Sequence, residues 1–304
     1  MQVVNLHPVK SINTASGATP WPKPLRAYTR GMRRSSTTGL LFAVALAAGV
    51  GACPPAAVAQ PTGLAPAAPA AVVVPPPRVD LAIDVTVPIP PPHTHYLGRE
   101  IAQTMHFTGA PWLVRDSRQR EEDCKLLLEA LELRPGQTVC DLGCGNGFYT
   151  VELARRVGPT GTVYAIDIQP EMLRMLAERA AAERLANIRP VLGTPIDPRL
   201  PAGTIDLVVC VDVYHEFSHP EPMLARIRAS LAPGGRLVLA EFRGEDPAVP
   251  IKPLHKMTKR QIRTELEPAG FAVAREFDRL PWQHLMFFLA DGLPADGGPG
   301  QPKP

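Results

Sequence analysis

The chain reads as an α/β protein built on a doubly wound, seven-stranded, mostly parallel sheet whose last strand is antiparallel. Three observations predict this. Apolar β-favouring runs alternate with amphipathic helical stretches from residue 120 to residue 290. A glycine-rich loop, Gly143 to Gly147, joins the first such run to a helix. Two closing runs, Phe271 to Phe277 and His284 to Ala290, lie close enough in sequence to form a hairpin, so the last strand must run against its neighbours.

The elements follow in order. Arg120 to Leu133 has the spacing of an amphipathic helix leading into the strand Thr138 to Leu142. After the loop, Phe148 to Val157 is helical, and Gly161 to Ile168 is the second strand. Pro170 suits the first turn of a helix running to Leu185. A third strand lies just ahead of Val191-Leu192-Gly193-Thr194, and the fourth is Ile205 to Cys210. Pro220 to Leu231 is helical, and Leu231-Ala232-Pro233-Gly234-Gly235 turns into a fifth strand reaching Leu239. Thr258 with Gln261 forms a capping box for a helix to Glu267, and Gly270 ends it before the closing strands.

The loop details select the ligand class. A dinucleotide fingerprint needs a third glycine where this chain has Phe148, which weakens a pyrophosphate reading and disfavours a nicotinamide-dependent oxidoreductase. Asp141, two residues before the first glycine, would repel a pyrophosphate and suits a cationic ammonium or sulfonium ligand. Asp167, twenty residues past Gly147 at the end of the second strand, is placed to accept hydrogen bonds from both hydroxyls of a ribose. Together these point to S-adenosyl-L-methionine.

The ordered set of the glycine loop, Asp167, Ile205-Asp206-Leu207-Val208-Val209-Cys210 and Leu231 to Leu239 resembles the class I S-adenosylmethionine-dependent methyltransferases over about residues 119–290. The resemblance implies cofactor contacts from Asp141, Gly143, Cys144, Gly145, Asn146 and Gly147, from Asp167 and Ile168, and from Asp212 after the fourth strand. Thr194 stands where many relatives carry Asp, so the adenine contact falls either to Thr194 or to Asp197, which, followed by Pro198, reads equally as a turn former. Within the broad family the motifs look closest to quinone-biosynthesis and small-molecule C- or O-methyltransferases, which leaves the acceptor atom open.

Substrate chemistry belongs outside the carboxyl ends of the parallel strands. Three segments converge there: Asp212 to Phe217; Glu241 to Met257, a long connection carrying Arg243, Glu245, Asp246, Lys252, His255 and Lys256; and Trp282-Gln283-His284. His215 is the first candidate general base, with Tyr214 and Glu216 beside it and Glu216 a candidate to orient it. His255 and His284 read better as solvated or structural side chains. No metal site is expected. Tyr96, His106, Phe107, Trp112 and Arg115 precede the first helix and suit a lid over the cofactor, although Phe107 and Trp112 read better as core anchors.

Composition divides the 304 residues. No charge occurs from Ser35 to Pro77, and within it Gly39 to Ala52 is a 14-residue apolar run behind Met32-Arg33-Arg34, the layout of an export signal and short for a membrane span. Met32 is an alternative start. Two processing readings stand: a degenerate lipoprotein box that would attach Cys53 to lipid, and a small-residue cleavage site at Ala57-Val58-Ala59. The expected organisation is therefore an N-terminal extension and export signal (1–59), an Ala/Pro-rich linker (60–92), a methyltransferase domain with its lid segment (93–290) and a tail (291–304). Export places the protein in the periplasm or envelope, against a cytoplasmic alternative, and conflicts with the cytoplasmic origin of the cofactor; a non-catalytic envelope protein that kept the fold is the competing function. A net charge of +3 without a basic stripe gives no support to a nucleic-acid partner. Cys124, Cys140, Cys144 and Cys210 lack zinc-type spacing and read as buried free thiols.

Overall fold

A computed structural model describes residues 75–82 and 87–291. The segment read as an export signal, both expected processing positions and the tail beyond Asp291 lie outside the described residues. Regular structure begins with a small antiparallel hairpin, β1 (His95–Tyr96) and β2 (Arg99–Glu100), followed by a 3-10 stretch, Phe107–Val114.

The sequence predicts one helix over Arg120 to Leu133, and the structure divides it into α1 (Arg118–Glu122) and α2 (Cys124–Ala130). The break has a local cause. Asp123 adopts a left-handed conformation, φ 46°, and its carboxylate caps α2 by accepting from Leu126 N at 3.3 Å. Within α1, Arg118 and Glu122 form a buried i,i+4 ion pair at 2.7 Å.

The remaining elements are β3 (Thr138–Leu142), α3 (Phe148–Val157), β4 (Thr162–Asp167), α4 (Pro170–Ala182), β5 (Ile188–Leu192), β6 (Ile205–Val211), α5 (Pro220–Ser230), β7 (Leu231–Arg243), β8 (Lys256–Met257), α6 (Lys259–Leu266), β9 (Phe271–Phe277) and β10 (Gln283–Ala290). Thr258 caps α6 by accepting from Gln261 N, as the capping box predicts. The sheet order is β5-β4-β3-β6-β7-β10-β9, with β10 antiparallel to both neighbours and the short β8, which the sequence did not suggest, added beside the end of β7.

Central strands are buried on both faces. Val139 and Cys140 on β3, and Leu207 and Val208 on β6, are all inaccessible, which explains their continuous apolar runs. Leu127, Leu153, Leu173 and Leu176 from α2, α3 and α4 pack on one face; Leu224, Ile227, Ile262 and Leu266 from α5 and α6 pack on the other. Each such side chain contributes about 1.5–3 kcal/mol by leaving water. Cys124, Cys140, Cys144 and Cys210 are buried and unpaired with one another.

The strand order reverses between β3 and β6, so their carboxyl ends splay apart. Ligands of open α/β sheets bind at such a crevice. At the far edge, part of the segment read as linker meets the sheet: Asp80 N donates to Pro190 O at 2.9 Å, Leu192 N donates to Asp80 O at 2.8 Å, and Arg199 pairs with the Asp80 carboxylate at 2.9 Å. Among the described residues no helix is long and apolar enough to cross a membrane.

Candidate active site

A cavity of about 530 Å³ opens at the reversal point, walled by the loops after β3, β4, β5, β6 and β7. Its floor is the glycine loop. Gly143 N and Cys144 N both donate to Ile166 O, at 2.8 and 2.9 Å, which draws the loop onto the end of β4. Gly143 has φ 75°, and a Cβ there would collide with Val213 after β6, so a side chain is excluded by backbone and space together. Gly143 and Gly145 consequently present bare backbone to the cavity.

Asp167 completes that end. Its Oδ2 accepts from Gly145 N and its Oδ1 from Gln169 N, both at 2.9 Å. Each oxygen keeps a further lone pair, and the residue lines the cavity. Burial pushes its pKa up to about 6, with the backbone donors of Gln169 and Gly145 restraining the rise. Ile168 and Thr194 lie in the same wall.

Several expected contacts lie elsewhere. Asp141 is behind the loop: strand side chains alternate, and its carboxylate points to α3, where Thr150 Oγ1 donates to it at 2.5 Å. Burial raises its pKa to about 6, against the pull of that hydrogen bond. Cys144, Asn146 and Gly147 support the loop from outside the wall; Asn146 Nδ2 donates to Ala110 O at 3.2 Å and so fastens the preceding segment. Asp197 is a turn former, its Oδ1 accepting from Arg199 N at 2.7 Å, and Thr194 takes the wall position instead. Tyr214 turns away from the cavity and donates to Glu265 Oε2 at 2.9 Å, within a buried group that includes the Arg99–Glu265 ion pair.

Beside Asp167, a second carboxylate that faces the cavity near the loop is Asp212. Gln283 Nε2 donates to both its oxygens, at 2.9 and 2.8 Å. Burial, with the negative charges of Glu122 and Glu241 nearby, pushes its pKa well above the ordinary range. Such a group favours a cationic partner.

His215, Glu216 and His255 form the opposite end. His215 Nδ1 lies 2.6 Å from Glu241 Oε2, at the end of β7, and His215 Nε2 lies 3.1 Å from His255 Nδ1. Burial opposes protonation of His215, but the Glu241 carboxylate prevails and its pKa is raised. Glu241, and not Glu216, orients the ring. Glu216 accepts from Met105 N at 3.2 Å, faces the cavity, and is pushed up to about 7 chiefly by burial, with His215 pulling the other way. His255, expected to be solvated or structural, lines the cavity; burial, then His215 and Lys252, lower its pKa. His284 is fully buried and lies opposite Glu241 in the β7–β10 register, away from the cavity wall.

A family profile described as a methyltransferase domain matches residues 133–276, which includes every cavity segment from β3 to His255. Residues 133–276 therefore carry a methyltransferase domain with the class I fold. A SAM dependent methyltransferase from Aquifex aeolicus shares the fold with a TM-score of 0.58 and 26% identity, over 61% of this chain and 98% of that one. Nocamycin O-methyltransferase of Saccharothrix syringae is 39% identical over 113 residues, 37% of this chain and 40% of that protein. The ubiquinone/menaquinone biosynthesis C-methyltransferase UbiE of Cupriavidus metallidurans is 31% identical over 110 residues, 36% of this chain and 45% of that protein. The match thus spans less than half the length of these curated relatives.

The segment before α1 crosses the cavity. Thr104, Met105, Trp112 and Leu113 line it, and Gln169 grips the crossing by donating to Met105 O at 2.9 Å and accepting from Phe107 N at 2.7 Å. Trp112 is 49% exposed, with the Arg115 guanidinium 3.7 Å from its ring centre, and so is no core anchor. Arg118 and Glu122, which sequence reasoning missed, also line the cavity. Their only sequence signal is an i,i+4 opposite-charge pair, which ordinarily marks a solvated helix face.

Proposed function

We propose that this protein transfers a methyl group from S-adenosyl-L-methionine to a small-molecule acceptor. One observation carries the reading: a buried Asp167 carboxylate with free lone pairs sits beside the bare backbone of Gly143 and Gly145 in one cavity. Bound there, S-adenosylmethionine supplies an electrophilic methyl carbon on a positively charged sulfur. Asp167 takes the ribose hydroxyls, Ile168 and Thr194 flank the adenine end, and Asp212 favours the cationic end. The segment at Met105 and Trp112 excludes water. Methyl transfer is an in-line displacement, so alignment and dryness supply most of what the protein must provide. Where an acceptor has to lose a proton, the Nε2 lone pair of the Glu241-oriented His215 is placed to receive it.

The small-molecule class is taken from the named O- and C-methyltransferase relatives. Calorimetric titration of the purified protein with S-adenosylmethionine, its demethylated product S-adenosylhomocysteine, and NAD tests the reading. Micromolar binding of the first two and none of NAD is expected. Absence of binding to a folded sample would replace it with a non-catalytic role for the fold.

The proposed location is outside the cytoplasm, supported by Arg33-Arg34 and the apolar run Gly39 to Ala52, with attachment to a membrane if Cys53 is lipidated. Mass spectrometry of the mature N-terminus checks this. A start at Gln60 or a lipidated Cys53 supports export, and an intact N-terminus in the cytosolic fraction refutes it.

A further inference from the structure

Three potential donor atoms meet at the acceptor end of the cavity. His215 Nε2 and His255 Nδ1 are 3.1 Å apart, and Glu216 Oε1 lies 3.9 Å from each. The centre of a triangle with these edges is about 2.1 Å from every corner, the length of a zinc–imidazole or zinc–carboxylate bond. All three residues belong to the cavity wall. Two imidazoles and one carboxylate are donors of intermediate softness, suited to a first-row divalent ion.

A second, independent feature agrees. Glu241 lies directly behind His215, its Oε2 2.6 Å from Nδ1, where it holds the proton on Nδ1 and leaves Nε2 as a lone pair directed at His255 and Glu216. Ligating histidines are commonly held in this way by a carboxylate on the other ring nitrogen. Glu241 is fully buried, and its Oε1 has no hydrogen-bond partner. A buried carboxylate devoted to one imidazole is costly unless that ring carries or faces positive charge.

We propose that His215, Glu216 and His255 bind a divalent transition-metal ion of the zinc class. Three protein ligands leave at least one coordination position toward the cavity. That arrangement selects acceptors with a hydroxyl or thiol that ionises on meeting the ion, and it gives the His215 lone pair to the metal in the loaded protein. The choice of acceptor class rests on the methyltransferase reading; the ion site does not.

The test is a zinc titration of the chelator-stripped full chain against a chromophoric chelator, with cobalt absorption as a report of coordination. One equivalent should bind, with cobalt giving the intense visible bands of a four- or five-coordinate site. His255→Ala should weaken binding at least tenfold. His255 is a partly exposed residue at the end of the 3-10 turn Pro253–His255, so its loss spares the core, and His255→Gln provides a second variant of similar volume. Glu241→Gln should weaken binding about 10- to 100-fold. Substoichiometric binding by folded protein would overturn the proposal, as would unchanged affinity in both His255 variants, which would assign the ion to other histidines. S-adenosylhomocysteine titration of the same stripped sample separates the two readings. Metal binding without nucleoside binding leaves the ion site standing and removes the methyltransferase reading; the reverse result removes the ion site alone.

Discussion

Gly145 and Asp167 are joined by a 2.9 Å hydrogen bond from the loop amide to the carboxylate Oδ2, so the residue proposed to take the ribose also fixes the glycine loop. The two functions have separable consequences. Asp167→Asn keeps an acceptor for Gly145 but removes the charge, whereas Asp167→Ala removes both. Charged hydrogen bonds are worth about 1.5–3 kcal/mol each. Asp167→Asn should therefore weaken S-adenosylhomocysteine binding roughly tenfold, and Asp167→Ala about a hundredfold, by calorimetry. Equal affinities in all three proteins would remove the ribose role.

The pKa values near 6 of Asp141 and Asp167 lie above those of an unfolded carboxyl, about 4. Between those values the folded chain holds protons that the unfolded chain has released. Ionisation above pH 6 opposes folding by up to about 3 kcal/mol per group, and that cost is relieved as pH falls from 7 towards 4. Relative to Asp141→Asn, the wild type should gain stability between pH 7.5 and pH 5 in urea unfolding. Ribose recognition has the opposite sign, since it needs ionised Asp167, so nucleoside affinity should fall below about pH 6. A stability difference independent of pH would show that Asp141 titrates normally.

His215→Ala should lower the single-turnover methylation rate by about a hundredfold or more while changing nucleoside affinity less than about twofold. Its ring stands at the end of the cavity away from the glycine loop, and the nucleoside contacts proposed above come from the loops after β3, β4 and β5. Glu241→Gln should reproduce part of the loss, because the carboxylate orients the ring from behind. A proportionate loss of affinity in both variants would show that the pair merely shapes the pocket.

Tyr214, a neighbour of the candidate base in sequence, belongs energetically to the core. Tyr214→Phe should cost about 1 kcal/mol in urea unfolding and leave turnover unchanged. Glu265→Gln leaves Arg99 buried without its counter-charge and should cost about 3–5 kcal/mol. A large catalytic defect in Tyr214→Phe with normal stability would return the hydroxyl to the chemistry.

The strands were legible because their chemistry is local. Thr138–Leu142, Ile205–Val211 and Phe271–Phe277 are dense in β-branched or aromatic residues, and their sheet positions need runs of that kind. The glycine loop and Asp167 were legible because close backbone approach to a nucleotide admits few residue types. What escaped depends on direction and on distant partners. Asp141 is two positions from the first glycine, yet strand alternation turns it to Thr150. Glu241 shows in sequence only as the end of a strand, and its partnership with His215 spans 26 residues of chain. His255 reaches the cavity because β8 pairs with the end of β7 and folds the long connection back, an event that no periodicity records.

The pairing of Asp80 with Pro190 and Leu192 changes how the molecule meets its own copies. β5 is an outermost strand, and the exposed edge of a sheet is a template for intermolecular strand addition and aggregation. Pro190 withholds one amide from that edge, and Asp80 occupies the carbonyl of Pro190 and the amide of Leu192. A truncation at residue 93 would strip this cover and leave the outer amide of Leu192 and carbonyl of Pro190 on β5 open to a neighbouring strand.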